Sequence, residues 1–234
     1  MRMKRAIKWI ALALALVCCA AFFANGYLAG RYSVRGADLS HYQGDVDFAA
    51  LEAQGLSFVF IKATEGSAHT DERFEENLEK VQKTSLRYGF YHFFSFDSPG
   101  KTQAENFIAR VPQLDGMLPP VIDVEYYGDY FRNPPDAARV RPELEAMLDA
   151  LTAHYGVKPI LYSTLRAYGR YLKGAFEDCD LWIRSVYFPP VGVKWTFWQY
   201  TDRARLNGYS GEESRIDLNV FSGNAEMFSQ YGLK

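Results

Sequence analysis

Cysteine is scarce in this 234-residue chain: Cys18 and Cys19 are adjacent near the N-terminus, and Cys179 stands alone beyond them. Residues 36–234 therefore form no internal disulfide and hold no cysteine pair for a metal. Stability has to come from a packed core, which a domain of about 200 residues can supply. Histidine is equally sparse, with four residues scattered at 41, 69, 92 and 154, far from the paired spacing of a zinc centre. Acidic residues are missing from positions 1–35, where six basic residues lie, leaving 20 basic against 28 acidic residues in 36–234, a net charge of −8. Such a domain repels polyphosphate, so no nucleic-acid partner is expected. Repeats, low-complexity blocks and long linkers are also absent.

Apolar residues are plentiful, at 48% of the chain with 16% aromatic, including 16 Tyr and 17 Phe. This allows a large core and a cleft lined with rings. At the N-terminus Arg2, Lys4, Arg5 and Lys8 precede an uncharged run from Trp9 to Ala24. That pattern predicts a signal anchor with its positive end inside and the domain outside, or a signal peptide. Phe22 and Phe23 crowd the place of a small-x-small cleavage site. Val17 precedes Cys18 where a lipidated cysteine calls for a small residue. Residues 1–34 are thus read as a membrane anchor or signal segment with a short connector, and 35–234 as one domain, expected to be monomeric and extracytoplasmic.

Eight strand-like runs recur: Arg35–Leu39, Phe58–Lys62, Tyr88–Phe93, Val121–Glu125, Pro159–Ser163, Leu181–Arg184, Thr196–Tyr200 and Asp217–Phe221. Several are nearly continuous in apolar residues, as in strands covered on both faces. Helical spacing falls between the early strands, at Asp47–Gln54, Asp71–Lys83 with Asp71 as a cap, Thr102–Val111 and Pro142–Tyr155. The late gaps, 185–195 and 201–216, are rich in Pro or Gly and leave little room for a helix. The predicted fold is α/β: an irregular, parallel (β/α) TIM-like barrel with an incomplete ring of helices.

In such barrels the active site forms at the carboxyl ends of the strands. Asp38, Lys62 with Glu65, His92, Asp123, Glu125 and Asp217 all fall near those ends. Asp123 and Glu125 are two apart on a strand, so both face one cavity. Facing carboxyl groups repel, and one gains a raised pKa; glycoside hydrolysis needs such a protonated acid beside an ionised partner. Alone, each residue has a plainer reading. A D-x-E can cap a loop, Asp38 and Asp217 can be turn residues, Lys62 can simply neutralise carboxylates, and His92 between Tyr91 and Phe93 can be a satisfied core residue. Tyr162, Trp198, Gln199 and Tyr200 suit either a core or stacking on sugar rings.

Taken in order, these segments resemble the glycoside hydrolase family 25 lysozymes, from about Arg35 to Phe221. The resemblance is carried by Gly36-Ala-Asp38-Leu-Ser-His-Tyr-Gln43-Gly44, Phe60-Ile-Lys62-Ala-Thr-Glu65-Gly66, Gly89-Phe-Tyr91-His92-Phe93, Leu118-Pro-Pro-Val-Ile-Asp123-Val-Glu125, Trp198-Gln199-Tyr200 and Ile216-Asp217-Leu-Asn219. It implies hydrolysis of the β-1,4 bond between N-acetylmuramic acid and N-acetylglucosamine in the peptidoglycan glycan strand. By the same resemblance Glu125 is the general acid, Asp123 orients the substrate or its 2-acetamido group, and Asp38 and Asp217 complete a carboxylate ring. Lys62, Glu65, Tyr91, His92, Tyr162, Trp198 and Gln199 are expected to bind substrate. No metal or cofactor is implied. One departure is Val46-Asp47-Phe48, where the family often has Trp; Phe can fill that core role. Two alternatives stay open at this point: a catalytically silent glycan-binding barrel, and a hydrolase of another β-linked amino sugar polymer such as chitin.

Overall fold

Short, β-branched and aromatic runs buried on both faces make strands here, and amphipathic runs between them make helices. In the computed structural model, which describes residues 5, 7–10, 12 and 25–233, the strands are β1 (Arg35–Leu39), β2 (Phe58–Glu65), β3 (His69–Thr70), β4 (Arg87–Phe93), β5 (Val121–Val124), β6 (Ile160–Thr164), β7 (Leu181–Arg184), β8 (Phe197–Ala204) and β9 (Ile216–Phe221). The hydrogen-bonded order runs β1-β9-β8-β7-β6-β5-β4-β2, and a β1–β2 pairing closes the barrel; β3 is a two-residue extension on the end of β2. The eight expected strands are thus present, and they close as expected.

The closing strand departs from the expected all-parallel sheet. β9 runs antiparallel to both of its neighbours, β1 and β8. The loop before it, residues 205–215, contains no helix to carry the chain back along the outside of the barrel, so β9 returns as a hairpin partner instead of a crossover. The reversal has a direct consequence for chemistry. Asp217, at the start of β9, lies opposite Asp38 on β1 and so at the same end of the barrel as the carboxyl ends of the parallel strands.

The main helices are α1 (Phe48–Ala53), α2 (Phe74–Val81), α3 (Gly100–Arg110), α4 (Ala137–Tyr155) and α5 (Ala225–Gln230). Asp47 caps α1 by accepting from the Ala50 amide at 3.0 Å. Asp71 does not cap α2 as expected. Its carboxylate accepts from the Arg73 amide in the preceding turn and from His41 at 2.7 Å, while Arg73 occupies the cap position without a side-chain bond. The longest helix starts earlier than Pro142, because Asp136 caps it through the Ala138 amide and Pro142 sits inside. Gly156, with φ 68°, ends it. Helices cover the flank of β2, β4, β5 and β6, and only short helical turns follow β6.

Inside the barrel, Phe58, Phe60, Tyr162, Trp182, Phe197 and Phe221 form an aromatic plug, with Phe60 stacked on Trp182 at 4.6 Å. A larger apolar layer lies between barrel and helices. On the flank over β7, β8 and β9, Ala29, Leu28 and Tyr32 pack on Trp195, Trp198 and Val220. The short connector expected before the domain is thus seated on the barrel. Most of the expected anchor, Trp9 to Ala24, lies outside the described residues, and no described helix is long and apolar enough to cross a membrane.

Gly100, the first residue of α3, touches α4 so closely that an added Cβ would lie 1.7 Å from the Glu143 carbonyl oxygen. Gly100→Ala, a change favoured by helix propensity, should therefore destabilise the fold by about 1–3 kcal/mol. Chemical denaturation with an unchanged m value checks this, and a stabilised variant would refute the close-packing account.

Candidate active site

Alternation on the barrel strands directs one set of side chains inward at the carboxyl end. Asp38 comes from β1, Tyr91 from β4, Asp123 from β5, Tyr162 from β6, Gln199 from β8, and Asp217 with Asn219 from β9. Glu125 follows immediately after β5. Gln199 and Asn219 are fully buried behind a cleft with a main lobe of about 540 Å³, bounded by Asp38, Tyr91, Asp123, Glu125, Tyr162, Arg184 and Asp217 among others. An adjoining lobe of about 280 Å³ shares the carboxylates and adds Lys62, Phe93 and Tyr42.

Gln199 organises one side of this cleft. The Tyr162 hydroxyl donates to Gln199 Oε1 at 3.0 Å, which turns the amide Nε2 toward two carboxylates. Nε2 then donates to both oxygens of Asp38, at 3.0 and 2.9 Å, and to Asp217 Oδ2 at 3.0 Å. Asn219 adds a 2.6 Å bond to Asp38, and its own carbonyl accepts from the Trp182 indole at 2.8 Å. The two carboxylates directly opposite on β1 and β9 would repel; a shared amide donor between them offsets part of that cost.

The other side is held by a β-bulge. Lys62 pairs with Tyr91 and Thr64 with His92, which leaves Ala63 as an extra residue on β2. On a regular strand Lys62 and Glu65, three apart, would face opposite ways. The bulge returns Glu65 to the same side, where it accepts from Lys62 Nζ at 2.7 Å. The ammonium also lies 5.1 Å from the centre of the Phe93 ring.

Removal from water raises the pKa of Asp38, Asp123, Glu125 and Asp217. Asp38 is pushed up to about 6, the bonds from Asn219 and Gln199 opposing the rise. Asp217 is pushed up to about 9, by burial and then by the charge of Asp38. Burial raises Asp123 well above the ordinary carboxylate range, Glu125 adds to it, and Lys62 opposes it. Glu125 is pushed up to about 7 by burial, with Arg184 opposing. Among the described residues no protein group hydrogen-bonds the Glu125 carboxyl, and Asp123 Oδ1 is buried without a partner. One carboxyl is thus held ready to be protonated near neutrality, next to another oxygen with unused bonding capacity.

The structure brings together most of the sequence-predicted residues: Asp38, Lys62, Tyr91, Asp123, Glu125, Tyr162, Gln199 and Asp217, with Glu65 behind Lys62. It does not bring in His92 or Trp198. His92 is fully buried on the helix side, between Thr64 Oγ1 at 2.8 Å and Gln103 Oε1 at 3.0 Å, and burial lowers its pKa to about 4. Trp198 points to the opposite flank, where its indole donates to the Ser185 carbonyl at 3.0 Å. Strand alternation excludes both, because their neighbours Tyr91 and Gln199 point inward. Sequence reasoning missed Arg184, which lines the main lobe and pairs with Asp202 at 2.7 Å. A charged residue ending the apolar strand Leu181–Arg184 was the available signal. Trp182, within the run Leu181–Arg184, and Asn219, within the Ile216–Asn219 motif, were likewise not expected to shape the cleft.

A match to the glycosyl hydrolases family 25 covers residues 37–209. Among solved structures, the chain is similar to a family 25 glycosyl hydrolase from Bacillus anthracis, with 54% identity and a TM-score of 0.83, over 87% of this chain and 95% of that one. It is 28% identical to lysozyme M1 of Streptomyces globisporus, over 82% of this chain and 69% of that protein. It is also 28% identical to an N,O-diacetylmuramidase of Arthroderma benhamiae, over 85% of this chain and 86% of that protein.

Because the raised pKa of Glu125 measures a penalty on its ionised form, the site costs stability as pH rises. Below about 4.5 the group is protonated folded or unfolded and the penalty is absent; it grows up to about 7 and is full above that. Glu125→Gln should therefore stabilise the fold at pH 8 by on the order of 1–3 kcal/mol and leave it unchanged at pH 4. Thermal unfolding at the two pH values measures this, and equal differences at both would refute it.

Proposed function

The chain belongs to the glycosyl hydrolases family 25, and on that premise we propose that it is a muramidase whose reaction is carried by Glu125 and Asp123. As a glycoside hydrolase of this family it cleaves the β-1,4 bond between N-acetylmuramic acid and N-acetylglucosamine in peptidoglycan. The observation that supports the assignment best is the Glu125 carboxyl, with a pKa near 7 and no partner among the described residues, beside a second buried carboxyl. Protonated, Glu125 donates to the leaving glycosidic oxygen as that bond breaks. Asp123, with its free Oδ1, accepts from the substrate, suitably from the N–H of the 2-acetamido group. That contact orients the group toward the anomeric carbon, where water forms the new C–O bond in place of the one broken and returns a proton to Glu125. Asp38 and Asp217 set the field around the pair and are fixed in place by Gln199 and Asn219. Lys62, Tyr91, Tyr162 and Arg184 line the remaining walls and bind sugar hydroxyl, acetamido and acidic groups. A silent glycan-binding barrel would not need a carboxyl kept protonated at neutral pH. The muramidase names among its relatives favour muramic acid over a chitin-like polymer.

The substrate lies outside the cytoplasmic membrane. We read the basic N-terminus and the uncharged run Trp9–Ala24 as the element that carries the domain there and holds it as an anchor. The described helical residues Ile7, Trp9, Ile10 and Leu12 are exposed, as apolar side chains destined for lipid would be.

The test is the chemistry of the fragments released from purified peptidoglycan. The chain should generate new reducing ends on N-acetylmuramic acid. Glu125→Gln, unable to donate a proton, should lower kcat by about 10²–10⁴-fold. Asp123→Asn should also be severely impaired, with binding less affected. Reducing ends on N-acetylglucosamine would exclude the muramidase reading, and full turnover by Glu125→Gln would exclude its role as acid. Since the acid has to carry its proton, kcat/KM should fall as pH rises through about 7. A rate that stays flat from pH 6 to 9 would contradict this.

A further inference from the structure

Among the described residues no helix between β7 and β9 covers the flank over β7 and β8, and two other segments of chain lie on it. Residues 25–29 are helical, and the Asn25 side chain donates to the carbonyl oxygens of Ser185, at 3.3 Å, and Tyr200, at 2.6 Å. Tyr32 packs edge-on against Trp195 at 5.3 Å and Trp198 at 6.5 Å. Beside them runs the loop that links β7 to β8, held by a bond from Ser185 Oγ to the Phe188 carbonyl and by Arg203, which reaches the Tyr187 hydroxyl at 3.2 Å. Leu28, Arg31, Pro189 and Trp195 line a shallow cavity between the two segments.

This surface is unlike the rest of the domain in two ways. Its tips are large and apolar yet open to the outside: Phe188 is 57% exposed, Val191 88%, Tyr187 51% and Tyr27 73%. Neither segment contains an acidic residue, in a domain that carries a net charge of −8, while Arg31, Lys194 and Arg203 lie in or beside them. Of the acids nearest the loop in sequence, Asp180 accepts from Thr196 and Tyr231, and Asp202 is bonded to Arg184 and Arg203. The uncharged run that ends at residue 24 joins the domain beside these same tips.

We propose that Tyr187, Phe188 and Val191, together with Tyr27, dip into the outer interfacial layer of the bilayer that receives the N-terminal run, making this flank a lipid-docking surface. The proposal rests on the anchored reading above. Aromatic rings with a polar edge favour the headgroup level, and Arg31 and Lys194, in segments that contain no acidic residue, are drawn to anionic headgroups. Attachment at two points, the N-terminal run and the loop, fixes the face that the barrel turns to the membrane.

The experiment uses the full chain with Cys18→Ala and Cys19→Ala. Cys179 is retained, since it is buried and its thiol is pushed up to about 11. An environment-sensitive fluorophore is placed at Val191→Cys or, on the far side of the barrel, at Glu79→Cys. Each protein is reconstituted into vesicles of phosphatidylethanolamine and phosphatidylglycerol. The probe at 191 should shift to the blue and be quenched severalfold more than that at 79 by lipid spin-labelled near the headgroup. If the chain floats with the vesicles but the probe at 191 reads water, the loop proposal is overturned and the anchor stands. Failure to float with the vesicles overturns the anchor and the proposal together. A blue shift without quenching by lipid means that a second copy covers the loop, which also overturns it.

Discussion

Carboxyl groups crowded into the mouth of a barrel set the terms for the rest of this molecule. Asp38, Asp123, Glu125 and Asp217 share one cleft, and burial pushes each toward its neutral form. Such a group is unfavourable for folding and useful for proton transfer for the same reason. The surroundings divide the four between different fates. Asp38 is satisfied by two amides, while Glu125 has no donor among the described residues. The aromatic plug beneath them keeps water out from below and provides the apolar burial against which the cost is set.

The reversed strand is part of the same arrangement. An eighth parallel strand would need a crossover of a dozen or more residues and a covering helix. The chain uses a hairpin instead, placing Asp217 and Asn219 opposite Asp38 and Gly36. Cross-strand pairing then fixes the relation between the Asp38 and Asp217 carboxylates, and Gln199 bridges them from the neighbouring strand. The flank that this leaves without a crossover helix is closed by residues 25–32, so the segment ahead of the barrel also serves as its missing wall.

Much of this was legible in the sequence, for identifiable reasons. Buried strands leave continuous apolar runs, and polar residues at their ends stand out, so the eight strands and the four carboxylates could be read directly. The direction of β9 could not, since alternation along a strand is the same whichever way it runs. The bulge at Ala63 was equally hidden, because nothing in Lys62-Ala63-Thr64-Glu65 distinguishes an extra residue from a regular one. Assigning both His92 and Tyr91, or both Trp198 and Gln199, to the cleft ignored a signal that was available, as neighbours on a strand face opposite ways. Pro142 misled because proline often opens a helix; here the Asp136 cap had already started it.

The two hydrogen bonds from Asn25 carry a further consequence. Their acceptors, Ser185 and Tyr200, directly follow the cleft-lining Arg184 and the cleft-organising Gln199. A membrane segment ending at residue 24 would therefore hold the catalytic mouth on no slack at all. A long flexible tether lets an enzyme sweep a volume set by the length of its chain. Here the reach would be set by the width of the barrel, and only glycan lying within one protein diameter of the bilayer would come within range of the cleft.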